Sequence, residues 1–262
     1  MKKSNVSPTL VHVGYNSSGK KTEIDLSTLP HLLIGGGKNM RPTLLHAVLS
    51  GLIVRNTPDR LVMVLLDLGE GELLRYRGAP HLLEDVVTDR EKAEKVLRHI
   101  EREMQRRLNI IREEGAQNYA EYCKTERVYT FPPLIVAVDE AFGLITPHDR
   151  ESAMLIGRIA AQGRRAGIHL LLTVRNYTAD SALGYLKANF PSRAVMRTAD
   201  ENESRLLFDR SGAEKLQDEN EVLLWPLSAV RPRKLKVLYV SDEEIQAMIA
   251  LARRKCGLQE EI

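Results

Sequence analysis

Short continuous apolar runs alternate with longer stretches in which apolar residues recur every three or four positions. The runs are His31-Leu-Leu-Ile34, Leu61-Val-Met-Val-Leu-Leu66, Leu134-Ile-Val-Ala-Val138 and Ile168-His-Leu-Leu-Leu-Thr-Val174. Continuous rather than alternating apolarity is the mark of strands buried on both faces, as in a parallel sheet covered by helices. From Asp89 to Glu114, the apolar positions Ala93, Val96, Leu97, Ile100, Met104, Leu108 and Ile111 make one helical stripe, and Gly115 is placed to end it. Residues 42–54, opened by Pro42, and 149–166, closed by Gly167, read as two further helices. Strand alternating with helix predicts an α/β fold with a mostly parallel central sheet and helices on both faces.

Late in the chain the pattern changes. Val222-Leu-Leu-Trp225 and Leu235-Lys-Val-Leu-Tyr-Val240 read as neighbouring edge strands of antiparallel character, followed by a helix from Asp242 to Lys255. Ser241 and Glu244 have the spacing of a capping box for that helix. With no repeat, low-complexity tract or linker, residues 1–262 are read as a single domain.

Composition adds limits. Apolar residues are 43% and charged residues 28%, ordinary for a globular domain, and a formal charge of +3 permits nucleic-acid contact without arguing for it. Aromatic residues are 5%, too few for binding by base stacking. The two cysteines, Cys123 and Cys256, lack metal-ligand spacing and read as reduced thiols. The start, Met-Lys-Lys-Ser-Asn, has no apolar core, and no apolar run is long enough to span a bilayer. A cytoplasmic location is the expectation.

The candidate chemistry lies at two strand ends. Asp139 and Glu140 follow an apolar strand, which places two carboxylates at the edge of the sheet where α/β ligand sites lie. In nucleotide hydrolases, the first such carboxylate holds Mg²⁺ through water and the second activates the attacking water. The other end is Gly35-Gly-Gly-Lys38-Asn-Met-Arg41-Pro42-Thr43, located as a phosphate loop is but departing from G-x-x-x-x-G-K-[ST]. Anchored on Thr43, the first glycine falls on Gly36, the second on Arg41 and the lysine on Pro42. Pro42 offers neither N–H nor ammonium, and Arg41 carries a Cβ where glycine lets the backbone come close. Gly36, Gly37, Lys38, Arg41 and Thr43 are the candidate nucleotide-binding residues. Thr43 and Asp139 are the candidate Mg²⁺ ligands. The same glycines and Pro42 also make a sound strand-to-helix turn with no phosphate in it.

These motifs, with several others in order, resemble the RecA-like motor domain of the FtsK/SpoIIIE family, a domain also used in tandem in EssC-type secretion ATPases. The resemblance is carried by Val13-Gly14, Ser18-Gly19-Lys20, Asp25-Leu26 and Pro30-His-Leu-Leu-Ile34. It continues in Gly78-Ala-Pro-His-Leu-Leu83, Val86-Val-Thr-Asp89, Glu103-Met-Gln-Arg-Arg107 and Arg165-Ala-Gly-Ile-His-Leu170. Leu186-Lys-Ala-Asn189 with Pro191 and Arg193, Ser204-Arg205 with Asp209, Gly212-Ala-Glu214 and Val240-Ser-Asp-Glu-Glu-Ile245 extend it across residues 9–250.

The resemblance implies a P-loop NTPase fold, ATP with Mg²⁺ if the site is competent, and DNA as a partner. It also implies a homo-hexamer or an active partner ATPase. Arg175 stands where the family's γ-phosphate-sensing glutamine does, and so joins the nucleotide-site candidates. Lys187 and Arg193, in the segment that faces the ring pore of translocases, are the candidate DNA contacts. Arg158 and Arg164 read either as surface arginines or as residues facing a neighbour's nucleotide. His31, His81 and His169 are read as structural.

The departures gather at the nucleotide site: the phosphate loop, Arg175 for glutamine, Asp67-Leu-Gly69 without the family's lysine, and Leu216-Gln-Asp-Glu-Asn-Glu221 without its glycines. The expectation is a motor-type domain with a degenerate phosphate loop, a scaffold or regulator with impaired hydrolysis. The alternative is an active translocase of DNA or secreted protein using a non-standard loop. The resemblance leaves no stretch here for the membrane helices or the winged helix of DNA-pumping relatives.

Overall fold

A computed structural model describes residues 6–29, 31–37, 42–125, 131–145, 150–175 and 181–258. Among the described residues, nine strands form one sheet in the order β2-β1-β9-β8-β7-β3-β6-β5-β4. The strands are β1 (Leu10–Asn16), β2 (Lys21–Asp25), β3 (Leu32–Gly35), β4 (Val62–Asp67) and β5 (Leu134–Asp139), then β6 (Ile168–Val174), β7 (Ser192–Met196), β8 (Glu221–Trp225) and β9 (Arg233–Val237). The α-helices are α1 (Thr43–Arg55), α2 (Arg90–Glu113), α3 (Tyr119–Tyr122), α4 (Arg150–Gln162), α5 (Ser181–Asn189), α6 (Glu201–Phe208) and α7 (Asp242–Lys255).

The four continuous apolar runs are the parallel centre. β3 pairs with β6 and β7, and β5 with β4 and β6, all parallel. Every residue of β3, β4, β5 and β6 is buried. Side chains alternate between two cores: Leu32 and Ile34 pack on one face with α1 and α7, and Leu33 on the other with α2 and α4. Such two-sided burial excludes polar side chains except where strands end, and it is there that Asp67, Asp139 and Thr173 sit.

The predicted stripe of α2 is buried in full, and Asp89 caps the helix by accepting from the Lys92 N–H. The stripe also includes Arg107, only 4% exposed. Its Nε donates to Glu103 at 2.8 Å, its Nη1 donates to the Pro132 carbonyl at 2.9 Å, and its guanidinium lies 4.6 Å from the Phe131 ring centroid. Burial pushes the Glu103 carboxyl up, but the hydrogen bonds and charges of Arg106 and Arg107 outweigh it and hold the group at about 2. Glu103-Met-Gln-Arg-Arg107 therefore ties α2 to the entry of β5. The capping box of Ser241 and Glu244 is formed at the start of α7.

One expectation is corrected. The strands near 222–225 and 235–240 are neighbours and antiparallel, but they are not edges. β8 pairs with β7, and β9, which ends at Val237, pairs with β1. β1 and β2 extend the sheet beyond them, so half of the sheet's pairings are antiparallel. Close approach is permitted where glycine stands: a Cβ at Gly14 would meet the Lys236 carbonyl oxygen at 2.1 Å, and one at Gly51 of α1 would meet Val11 of β1 at 2.3 Å.

The histidines are structural. His31 accepts the Leu170 N–H at 2.9 Å through Nδ1, and His81 Nε2 lies 3.1 Å from the Asn56 carbonyl oxygen. Burial lowers His31 to about 3, with the nearby His169 adding to the shift, and lowers His169 to about 4.

Candidate active site

The carboxyl ends of β3, β4, β5 and β6 lie side by side, because parallel pairing in register brings Asp67 of β4 level with Asp139 of β5. Asp139 is fully buried. Its Oδ1 accepts the Thr173 hydroxyl at 2.5 Å, and its Oδ2 accepts Arg175 Nη2 at 2.6 Å. The next residue, Glu140, turns the chain in the left-handed region at φ 56° and ψ 66°, rare for a residue with a side chain. That turn is held by the Glu140 N–H, which donates to the Thr173 hydroxyl at 3.0 Å. It sets Glu140 Oε2 3.3 Å from the Arg175 backbone N–H, which donates to it, and 3.5 Å from Arg175 Nε.

Both predicted carboxylates are thus brought together, with the predicted Arg175 between them. Arg175 is 6% exposed. Burial pushes the Asp139 carboxyl up to about 6; Asp67 and Glu140 act in the same direction, against the Thr173 hydrogen bond and the Arg175 charge. Asp67 is committed elsewhere. Its Oδ1 accepts the N–H groups of Gly69 and Gly71, at 3.3 and 3.2 Å, and its Oδ2 accepts that of Leu73 at 2.7 Å. This bends the 69–73 loop over the site, beside an open cleft of about 670 Å³ lined by Asp67, Gly69, Gly71, Thr88, Arg90 and Gly143.

The phosphate-loop candidates stand two strands away. Gly36 is buried and Gly37 half-buried at the end of β3, and the Gly37 N–H donates to the Arg197 carbonyl at 2.9 Å. Lys38 and Arg41 lie outside the described residues. Pro42 takes the N-cap position of α1, where no side chain caps the helix, and Thr43 begins the helix in a buried position.

Mg²⁺ and ATP can be tested against these donors. A divalent ion needs carboxylate oxygens open to it. Here each Asp139 oxygen already accepts a hydrogen bond, and Glu140 Oε2 faces the guanidinium. Among the described residues, no group of three or more His, Cys, Asp or Glu is arranged to hold a metal. As arranged, both carboxylates are paired with Arg175, which would compete with Mg²⁺ for them. For a triphosphate, one loop N–H is spent on Arg197, and Pro42 supplies none.

Lys187 and Arg193 are brought together on Asp209 rather than toward open solvent. Lys187 Nζ donates to one Asp209 oxygen and, at 2.8 Å, to the Leu206 carbonyl; Arg193 Nη1 donates to the other Asp209 oxygen. Arg193 pairs with Leu33 of β3, whose partner on β6, Leu172, stands opposite Val138 of β5. Arg158 on α4 is paired with Glu101 of α2, and Arg164 is exposed. Thr173, the hydroxyl that joins Asp139 to Glu140, was not singled out in the sequence. Its signal was a hydroxyl near the end of a buried strand whose other polar residue, His169, lies at the opposite end.

Comparison with known proteins agrees with this architecture. The FtsK/SpoIIIE family model matches residues 2–179. A DNA translocase FtsK of Oceanobacillus iheyensis is 31% identical over 98% of this chain and 34% of its own length. The DNA translocase SpoIIIE of Bacillus subtilis is 30% identical over 97% of this chain and 34% of its own length. The chain therefore spans about a third of these relatives. Among solved structures, EssC (ATPases 2 and 3) from Geobacillus thermodenitrificans superposes with a TM-score of 0.81 at 15% identity, over 97% of this chain and 51% of that one. The pCW3 conjugation coupling protein TcpA, solved with ATPγS, gives 0.77 at 24% identity, over 95% and 71%. These two likenesses establish the fold.

Proposed function

The chain belongs to the FtsK/SpoIIIE family, and we propose that it is a motor-type module of that family with impaired ATP hydrolysis, serving as a scaffold or regulator beside DNA or an active partner ATPase. The observation that carries this reading is the junction of β3 and α1. Pro42 stands where the pattern requires lysine, so one position loses both an ammonium and an N–H. The Gly37 N–H is already donated to Arg197. A loop that stabilises phosphate through backbone donors and one lysine has few of them left here.

The fold positions are kept meanwhile. The helix–sheet tie of Glu103 and Arg107 and the strand-end histidines hold the frame. A frame retained while the phosphate donors are lost favours a role in shape and contacts: a place in a ring of its own copies or beside an active ATPase, in the cytoplasm. Among the described residues, no helix is long and apolar enough to cross a membrane.

The second reading is an active translocase of DNA or secreted protein. It is favoured by Thr43, Asp139 and Glu140, which keep the family's places at the carboxyl edge. Phosphate release in the presence of Mg²⁺, ATP and duplex DNA separates the two. The expected turnover is at least about a hundredfold below the usual enzyme range of about 1–10³ s⁻¹ and unaltered by Glu140→Gln. Turnover within that range, abolished by Glu140→Gln, would establish the second reading instead.

A further inference from the structure

We infer that Arg175 is the resident cation of this site: its guanidinium bridges Asp139, the candidate Mg²⁺ ligand, to Glu140, and Gly69 is the residue that admits it. The inference rests on the proposed function only in taking this sheet edge as the site of interest.

The geometry is closed from three sides. Arg175 Nη2 holds Asp139 Oδ2 at 2.6 Å, and Nε lies 3.5 Å from Glu140 Oε2. The other Asp139 oxygen is held by Thr173, itself locked by the Glu140 N–H. Over the pair lies Gly69. A Cβ built there would stand 2.5 Å from Arg175 Nη2, 2.7 Å from Asp139 Oδ2 and 3.3 Å from Glu140 Cβ. Any side chain at position 69 would have to enter the space the guanidinium fills. The loop is fixed at this height because Asp67 accepts from Gly69, Gly71 and Leu73.

A planar guanidinium satisfies two carboxylates through directed N–H bonds, whereas a divalent ion needs several oxygens turned toward one point. The guanidinium already supplies positive charge to both carboxylates, so a divalent ion must compete with Arg175 for Asp139. Arg175 and Gly69 are thus a matched pair, positioning residues that set the site's cation.

The test is Mn²⁺ binding to the full chain without nucleotide, followed by electron paramagnetic resonance. Wild type is expected to bind Mn²⁺ no better than Asp139→Asn. Arg175→Gln is expected to bind at least tenfold more tightly than wild type, and Arg175→Gln/Asp139→Asn to lose that gain. Folded Arg175→Gln that binds Mn²⁺ no better than wild type would overturn the inference. If circular dichroism shows Arg175→Gln unfolded, wild type against Asp139→Asn decides. Equal binding upholds the inference, and binding by wild type that Asp139→Asn removes overturns it. ATP turnover by wild type would sink the reading of impaired hydrolysis while leaving the Mn²⁺ result to stand or fall separately.

Discussion

Arg175→Ala should lower the unfolding free energy by about 3–5 kcal/mol, the usual cost of removing one member of a buried ion pair. The size follows from what stays behind. Asp139 is fully buried, Glu140 is 9% exposed, and Asp67 lies level with Asp139 on the neighbouring strand. Without the guanidinium, two carboxylates face each other in a dry pocket, and one must take up a proton or the loop must open. Asp139→Asn in the same chain removes one of the charges and should recover a large part of the loss, with a coupling of about 2 kcal/mol in a double-mutant cycle. Urea denaturation at neutral pH measures both. A loss below about 1 kcal/mol, the range of exposed ion pairs, would mean that the pair is not held in solution as described.

Mild acid should also destabilise the protein, by about 2–3 kcal/mol between pH 6.5 and pH 4. His31 and His169 are buried neutral, at about 3 and about 4 against a model-compound value of 6.5. In this window the unfolded chain binds both protons and the folded chain binds few, so stability falls with pH by about 1.4 kcal/mol per unit for each histidine. Asp139 works in the opposite direction. Its folded value of about 6 lies above the unfolded 3.8, so the folded chain takes up a proton first and recovers about one histidine's worth of slope. The net slope is about one proton down to about pH 5, and Glu103, held at about 2 against 4.5, adds to it below that. His31→Gln, which removes a histidine, should flatten it. Urea melts at pH 7, 5.5 and 4.5 check this, and a stability unchanged down to pH 4.5 would contradict the buried neutral histidines.

The parallel centre was legible because burial on both faces writes itself as uninterrupted apolarity, as in Leu134–Val138 and Ile168–Val174. The stripe of α2 and the cap of α7 were legible for equally local reasons. β1 and β2 do not show as continuous runs because they alternate: Val11 and Val13 are buried around His12, and Thr22 and Ile24 around the exposed Glu23. Without them in the pattern, β8 and β9 look like edges.

At the site, Asp139, Glu140 and the altered loop were visible as residue types at strand ends. Their partners were not. That Arg175 folds back onto both carboxylates depends on the left-handed turn at Glu140 and on the absence of a side chain at Gly69, which lie 35 and 106 residues before it in the chain. Lys187 and Arg193 read as free cations because the αL turn that presents Asp209 to both lies at the end of α6, a helix not visible in the pattern.

A fold whose phosphate-binding positions have been given up should not hold nucleotide. A fluorescent ATP analogue with Mg²⁺, competed by unlabelled ATP, is titrated against wild type and Asp139→Ala. No competable binding at millimolar nucleotide is expected in either protein. Competable binding by wild type that Asp139→Ala weakens would contradict that and show that the loop has found a substitute for its lysine.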